Sequence, residues 1–312
     1  MAKVDVAVGV VRDKVGRVLV ARRKDGAHLG GLWEFPGGKF EREEDASQAL
    51  NRELFEELNI KPKSSSPLIK VNYSYPDINV QLHVREVHDF EGTPVDREGQ
   101  ALKWLALHEL NDYAFPEANK PILVAIRLGR QYAIIGGKSV PEVLLELDNI
   151  AKQGVSLVQI RVKGLSELDT EKILEAARIR CHKLNLTYLI NSQMPVKKQL
   201  NEGVHLTSSD LMSLSQRPEN TGFVGASCHS LQELRKAEQL ALDFVVLSPV
   251  MTTFSHPEAR ALGWQQFGDW VAEVNIPVFA LGGIRKQDFE PVIACGSQGI
   301  SGISLYNCRK GL

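Results

Sequence analysis

Residues 38–60 read GKFEREEDASQALNRELFEELNI, and the spacing of their acids decides what the first part of the chain can be. Residues 44–58 carry the pattern of a helix. On it Glu53, Glu56 and Glu57 stand at i, i+3 and i+4 and share one face. Three carboxylates so placed repel one another. A hard divalent cation offsets that repulsion, and Mg2+ or alternatively Mn2+ takes oxygen ligands of this kind. The same ions polarise a phosphoryl oxygen and lower the pKa of an attacking water. Gly37 and Gly38, just ahead of the helix, let backbone approach a phosphate or a metal closely. Arg52 has a planar fork suited to a carboxylate such as Glu44, and Asn59 suits the left-handed turn after a helix. An arbitrary glutamate-rich helix face is simply solvated; the joint spacing favours the metal.

The 312 residues allow about two domains, each with its own core. Lys and Arg nearly balance Asp and Glu at a formal charge of −1. That leaves no basic footprint for duplex nucleic acid, although a small nucleotide site needs only local charge. Cys181, Cys228, Cys295 and Cys308 are scattered without C-x-x-C spacing, which suits a reducing cytoplasm better than a disulfide framework or a zinc site. The first residues lack a signal-peptide pattern, and no apolar run approaches the roughly 20 residues of a membrane span. A cytoplasmic protein is expected, with no membrane partner and no feature that demands an obligate protein partner.

Two rhythms divide the chain. Residues 4–11 and 17–22 read as a hairpin across Asp13-Lys14-Val15-Gly16. Further strands are expected at 72–87 and 101–107, and a second helix at 116–128. From Gln131 short apolar runs recur at 132–135, 157–162, 187–190, 203–206, 223–226, 244–247, 278–281 and 299–305. Helical patterns at 143–153, 171–184, 231–240 and 265–274 lie between several of them. Such alternation implies a parallel sheet, and eight strands with crossovers most simply close into a barrel. The boundary is expected near Gly129–Arg130.

The stretch 38–60 fits the Nudix box, G-x5-E-x7-R-E-U-x-E-E-x-G-U with U aliphatic. Gly38, Glu44, Arg52, Glu53, Leu54, Glu56, Glu57 and Ile60 match, and Asn59 stands where the final Gly belongs. Residues 1–130 resemble the MutT-type 8-oxo-dGTP diphosphatases more widely. The likeness lies in Val6-Ala-Val-Gly-Val-Val, Ala21-Arg-Arg, Ala27-His28, Glu34-Phe-Pro-Gly-Gly-Lys39, Glu98-Gly99-Gln100 and Phe115-Pro-Glu-Ala-Asn119. It implies that Arg23, His28, Glu34, Phe35, Pro36, Gly38 and Asn119 line a nucleoside triphosphate pocket. The Gly37 carbonyl, Glu53, Glu56, Glu57 and Glu98 would surround the metals. Arg52, Glu53 and Glu98 are the implied catalytic residues, with Glu53 and Glu98 the two candidates for the proton acceptor. Attack at the β-phosphorus would release pyrophosphate and 8-oxo-dGMP. Asn119 has a chemical reason to be there, because its amide can accept from the N7–H of 8-oxoguanine while donating to O6. Its alternative role is a helix N-cap. Phe35 reads more often as core than as a base-stacking platform, and the Arg22-Arg23-Lys24 run also allows Arg23 to be a solvated cation. Ile78 occupies a place where a longer polar side chain is expected.

Residues 131–312 resemble the thiamine phosphate synthase and TenI-type barrels. Gln159-Ile-Arg161-Val-Lys163, Asn191, Gly203-Val-His-Leu206, Asp210, Ser227-Cys-His229-Ser230, Ser248-Pro249-Val250, Ala280-Leu-Gly282-Gly283-Ile and residues 299–304 carry the likeness. It implies that Arg161 and Lys163 hold pyrophosphate and that Asp210, with a second Asp after Asn191, holds Mg2+. Here that second Asp is Ser192, a Lys expected near 256 is His256, and a Gly expected at 248 is Ser248. Gly283 and Ser304 belong to the loops that suit a phosphate. His229 matches the acid/base histidine of the thiazole tautomerases.

The fold class expected is therefore α/β. A Nudix mixed-sheet α/β/α sandwich spans residues 1–130, followed by a (β/α)8 TIM-type barrel over 131–312. The leading functional expectation is Mg2+-dependent hydrolysis of 8-oxo-dGTP, with a degenerate or phosphate-binding barrel. One alternative is a thiamine-pathway enzyme whose Nudix half acts on a thiamine-related diphosphate. Another is a regulator that senses a phosphate ligand.

Overall fold

The computed structural model describes residues 3–26, 28–219, 221–253, 258 and 260–306. His256 and Cys308, and Ala27 of the Ala27-His28 pair, lie outside the described residues. The chain divides into two compact units, residues 1–127 and 128–312.

The first unit runs β1 (Lys3–Val11), β2 (Val18–Arg22), β3 (Trp33–Glu34), α1 (Ala46–Leu58), β4 (Lys61–Ser74), β5 (Asn79–Glu91), β6 (Leu102–Leu105) and α2 (Lys120–Ala125). β5 lies between β1, to which it is parallel, and β4, to which it is antiparallel. β2 pairs antiparallel with β3 on one side and β6 on the other. The expected hairpin between residues 4–11 and 17–22 does not form. Its turn is present, with Gly16 N donating to the Asp13 carbonyl at 3.1 Å. Among the described residues, however, a single bridge between Arg12 and Val18 joins the two strands. The edge of β1 is taken instead by residues 36–40. Ala7 N donates to the Gly38 carbonyl and Gly9 N to the Pro36 carbonyl, each at 2.8 Å. This pairing requires glycine at 37, where φ is 142° and a Cβ would lie 2.1 Å from the Ala7 carbonyl oxygen.

α1 starts later than the acid-rich run because Asp45 caps it. The Asp45 carboxylate accepts from Ser47 N and Gln48 N at 2.7 and 2.9 Å, and Gln48 answers by accepting from Asp45 N. Asn59 ends the helix at φ 59°, the left-handed turn its side chain tolerates. Leu50, Leu54 and Leu58 bury one face against Ala7, Val11, Leu19 and Val87. Each such leucine contributes about 1.5–3 kcal/mol, and together they fix how the helix is rotated. The other face of the β-strands packs on α2 through Val8, Val10, Val84 and Ile122. The helix expected over 116–128 is shorter: a 3-10 turn at Glu117–Asn119 leads into α2, with Pro121 in its first turn.

The second unit comprises β7 (Gln131–Ile135), α3 (Val140–Lys152), β8 (Leu157–Ile160), α4 (Glu167–Lys183), β9 (Thr187–Asn191), β10 (Gly203–Leu206), α5 (Ser208–Ser213), β11 (Val224–Cys228), α6 (Leu231–Gln239), β12 (Phe244–Leu247), α7 (Gly263–Val271), β13 (Val278–Ala280), α8 (Phe289–Ala294) and β14 (Gly299–Gly302). Its strands are all parallel and close into a barrel. Alternation does the sorting. Val158, Ile160, Val204, Leu206, Val245 and Leu247 face the helices, while Tyr132, His205, Phe244 and Phe279 meet as rings inside the barrel. The β9–β10 connection carries no helix. It is held to α4 by Arg178, which pairs with Glu202 at 2.7 and 3.1 Å and donates to the Lys197 carbonyl at 3.0 Å.

No helix among the described residues is long and apolar enough to cross a membrane. Cys181, Cys228 and Cys295 are free thiols.

Candidate functional site

The acids of α1 are organised by one cation. Arg52 grips both oxygens of Glu44 at 2.8 and 2.9 Å, and its third nitrogen reaches Glu53 at 2.8 Å and Glu56 at 3.2 Å. It also donates to the Lys39 carbonyl at 3.0 Å, tying the helix to the glycine segment. Those hydrogen bonds hold the Glu44 carboxyl down at about 2. Glu53 lies directly over Gly38, where a Cβ would stand 2.3 Å from its carboxyl group. Glu57 accepts from Gly37 N at 3.2 Å. Burial, then repulsion from Glu53, with further contributions from Glu98 and Glu34, pushes the Glu57 carboxyl up to about 8. Glu98 sits on an exposed bend, 3.9 Å from Lys24. Among the described residues no group of three or more His, Cys, Asp or Glu side chains is arranged to hold a metal ion. The expected ligands are thus brought near one another without converging. Arg52 holds Glu53 and Glu56 in this arrangement.

Of the residues expected to line a nucleotide pocket, Glu34 adds its charge to that felt by Glu57. Arg23 pairs with Glu34 and donates to the His28 carbonyl at 2.8 Å. It is therefore not the solvated cation that its Arg22-Arg23-Lys24 run allows. Burial raises the Glu34 carboxyl, with Arg23 opposing. The His28 ring meets Tyr75 edge-on at 5.2 Å, and Tyr75 packs on Tyr73 at 4.6 Å. Phe35 belongs to the core, stacked on Phe115 at 5.6 Å and 3% exposed. The Pro36 and Gly38 carbonyls are committed to β1. Asn119, 7% exposed, occupies the N-cap position of α2 but makes no side-chain cap hydrogen bond.

In the barrel, parallel strands place the expected residues at one end. Gln159 lies on β8, with Arg161 and Lys163 just past it; Asn191 ends β9, and Asp210 lies on α5 after β10. His229 follows β11, Gly283 follows β13, and Ser304 lies in an exposed turn after β14. Gly283 has φ 66°, and a Cβ there would come within 2.6 Å of the Thr252 carbonyl oxygen. Loop packing therefore demands this glycine, whatever it offers a phosphate. His229 Nδ1 lies 2.8 Å from the Ser248 carbonyl oxygen. An N–H there must donate to that oxygen, which leaves Nε2 as the acceptor. The buried Gln159 amide faces Tyr132, while Arg161 Nε and Ser301 Oγ, also buried, have no hydrogen-bond partner among the described residues. A polar ligand at the mouth would satisfy such groups.

Residues 131–305 match the family described as thiamine monophosphate synthase, and residues 7–125 match the NUDIX domain. The chain belongs to the thiamine monophosphate synthase family, with a NUDIX domain fused ahead of that barrel. The provisionally named thiamine-phosphate synthase 2 of Aquifex aeolicus is 36% identical over 184 residues, 58% of this chain and 99% of the relative. The 8-oxo-dGTP diphosphatase of Escherichia coli is 39% identical over 127 residues, 41% of this chain and 98% of that protein. A thiamine-phosphate synthase of Anoxybacillus flavithermus is 31% identical over 173 residues, 53% of this chain and 79% of the relative. The NUDIX domain makes the first unit a hydrolase of phosphoric anhydrides.

The synthase-type barrel also contains polar residues that sequence reading passes over. His205 binds the Tyr132 hydroxyl through Nδ1 at 3.0 Å and the Ser227 hydroxyl through Nε2 at 2.9 Å. The signal was the inward register two residues after Gly203, hidden because a strand of four residues gives little periodicity. Burial, helped by the positive charge of Arg161, pushes the His205 imidazole down to about 3 from 6.5. Below pH 6.5 the unfolded chain therefore binds a proton that the folded barrel refuses, and stability falls as pH falls towards 3. The expected loss between pH 8 and pH 5 is about 2 kcal/mol. Urea unfolding at both pH values checks it: His205→Gln should remove that part of the pH dependence, and an unchanged dependence would contradict the assignment.

Proposed function

We propose that the NUDIX domain hydrolyses 8-oxo-dGTP to 8-oxo-dGMP and pyrophosphate. The observation that carries this reading is the uncommitted amide of Asn119, buried at a helix start yet unused as a cap. Normal guanine offers an acceptor at N7, whereas the 8-oxo form offers N7–H. An Asn amide can accept from that N–H and donate to O6, and ordinary guanine would leave buried polar groups unpaired at about 1–3 kcal/mol each. The Arg23–Glu34 pair and the His28–Tyr75 contact give the pocket polar and aromatic walls. The 8-oxo-dGTP diphosphatase of Escherichia coli, similar over nearly its whole length, supports the same substrate.

The donor set of Glu53, Glu56, Glu57, Glu98 and the Gly37 carbonyl is all oxygen, which fits a hard divalent cation such as Mg2+. The chemistry that such an ion supplies when bound is charge neutralisation at a phosphoryl oxygen and a more acidic attacking water. Arg52 holds Glu53 oriented over Gly38 through the 2.8 Å ion pair. Glu44 in turn holds the Arg52 fork in place.

Asn119→Ala tests the base-reading role. It should lower kcat/KM for 8-oxo-dGTP by about tenfold or more while leaving dGTP hydrolysis nearly unchanged. Equal slowing of both substrates would contradict it. The fusion to a synthase-family barrel favours a second reading, in which a thiamine-related diphosphate is the substrate. Assaying thiamine diphosphate beside 8-oxo-dGTP separates the two, since faster hydrolysis of the former would replace the first reading.

A further inference from the structure

The family resemblance implies a Mg2+ site at the barrel mouth built on two carboxylates, and the residues present do not fit one. Position 192 is a serine. Its hydroxyl donates to Asp210 and accepts from Thr207 N at 3.1 Å. Gln193 Nε2 donates to both oxygens of Asp210 at 2.8 Å. Gln193 N in turn donates to the Asn191 side-chain oxygen at 3.1 Å. Both oxygens of the remaining acid are therefore engaged by neutral donors. A cation would have to displace them for a single negative charge, against an ion that dehydrates reluctantly. Asp210 and Ser192 also line a cavity of about 590 Å3 whose lining includes Glu219 and Lys198, the latter within electrostatic reach of Asp210. A fixed positive charge beside Asp210 disfavours a second cation further.

We infer that Asp210 in this chain is a brace that locks the turn after β9 onto α5, and that the barrel mouth holds its ligand without a divalent cation. Ser192 and Gln193 already hydrogen-bond both carboxylate oxygens that a metal would need. With no ion there, a departing diphosphate would lack the counter-charge that the synthase reaction needs. The brace also fixes Asn191: with its oxygen held by Gln193 N, its amide nitrogen is left to donate elsewhere.

Mn2+ uptake by the full-length chain tests this, counted from the loss of the free-ion EPR signal. Wild type and Asp210→Asn should give superimposable uptake curves, because the acids of α1 are untouched. A variant that takes up less Mn2+ than wild type would overturn the inference. If Asp210→Asn does not fold, crystals of the wild-type chain grown in Mn2+ decide the matter by anomalous scattering. Peaks confined to positions away from Asp210 support the brace; a peak bonded to its carboxylate overturns it.

Discussion

Glu53→Gln should reduce kcat for 8-oxo-dGTP by at least about a thousandfold, equivalent to about 4 kcal/mol of transition-state stabilisation. The amide keeps the size of the side chain but removes the charge that offsets a divalent cation and that pairs with Arg52 at 2.8 Å. Glu53 is partly buried on α1, its side chain 15% exposed, beside and not within the buried stripe of Leu50, Leu54 and Leu58. The substitution should therefore leave the unfolding midpoint within a few degrees of wild type. Steady-state hydrolysis with Mg2+, together with a thermal melt, gives both readings. Wild-type turnover would remove Glu53 from the site.

Gly38→Ala should cost about a hundredfold in kcat, the size expected when a catalytic group is displaced by about 1 Å. The added methyl would stand 2.3 Å from the Glu53 carboxyl, so that side chain must move and lose its register with Arg52. The neighbouring glycine provides the contrast. At Gly37 the φ of 142° and the 2.1 Å approach of the Ala7 oxygen make alanine a backbone problem. Gly37→Ala should lower stability outright. Gly38→Ala should lower kcat with the melt nearly unchanged, and a normal kcat in folded Gly38→Ala would contradict the close packing of Glu53 on the glycine.

What the sequence made legible was local. The acid spacing on α1 and the left-handed Asn59 follow from 3.6-residue periodicity and cap chemistry, and the helix began late only because Asp45 serves as its cap. The barrel emerged from alternation alone, since its short strands are largely buried and the helices of most crossovers keep an apolar stripe. Long-range pairing was not legible. Nothing in residues 4–22 reveals that residues 36–40 take the edge of β1. Residues 61–71, with two prolines and three serines, carry little strand signal. They nevertheless pair with β5 out to Lys61 opposite Glu91, through irregularities at Pro62 and Pro67. At the sites the same limit holds. Residue types named Arg52, Glu53 and Asn119, but the core placement of Phe35 and the unused cap at Asn119 depend on packing. At the barrel mouth, Ser192 marked a missing acid; the fold added that Gln193 covers the one that remains.

The most direct measurement compares kcat/KM for 8-oxo-dGTP and dGTP on the full-length chain in Mg2+, with the products identified. The oxidised nucleotide should be preferred by at least about thirtyfold, from about 2 kcal/mol of unpaired polar groups on the normal base, and both should yield a nucleoside monophosphate and pyrophosphate. Equal values for the two nucleotides, or release of inorganic phosphate instead of pyrophosphate, would contradict a base-selective NUDIX hydrolase.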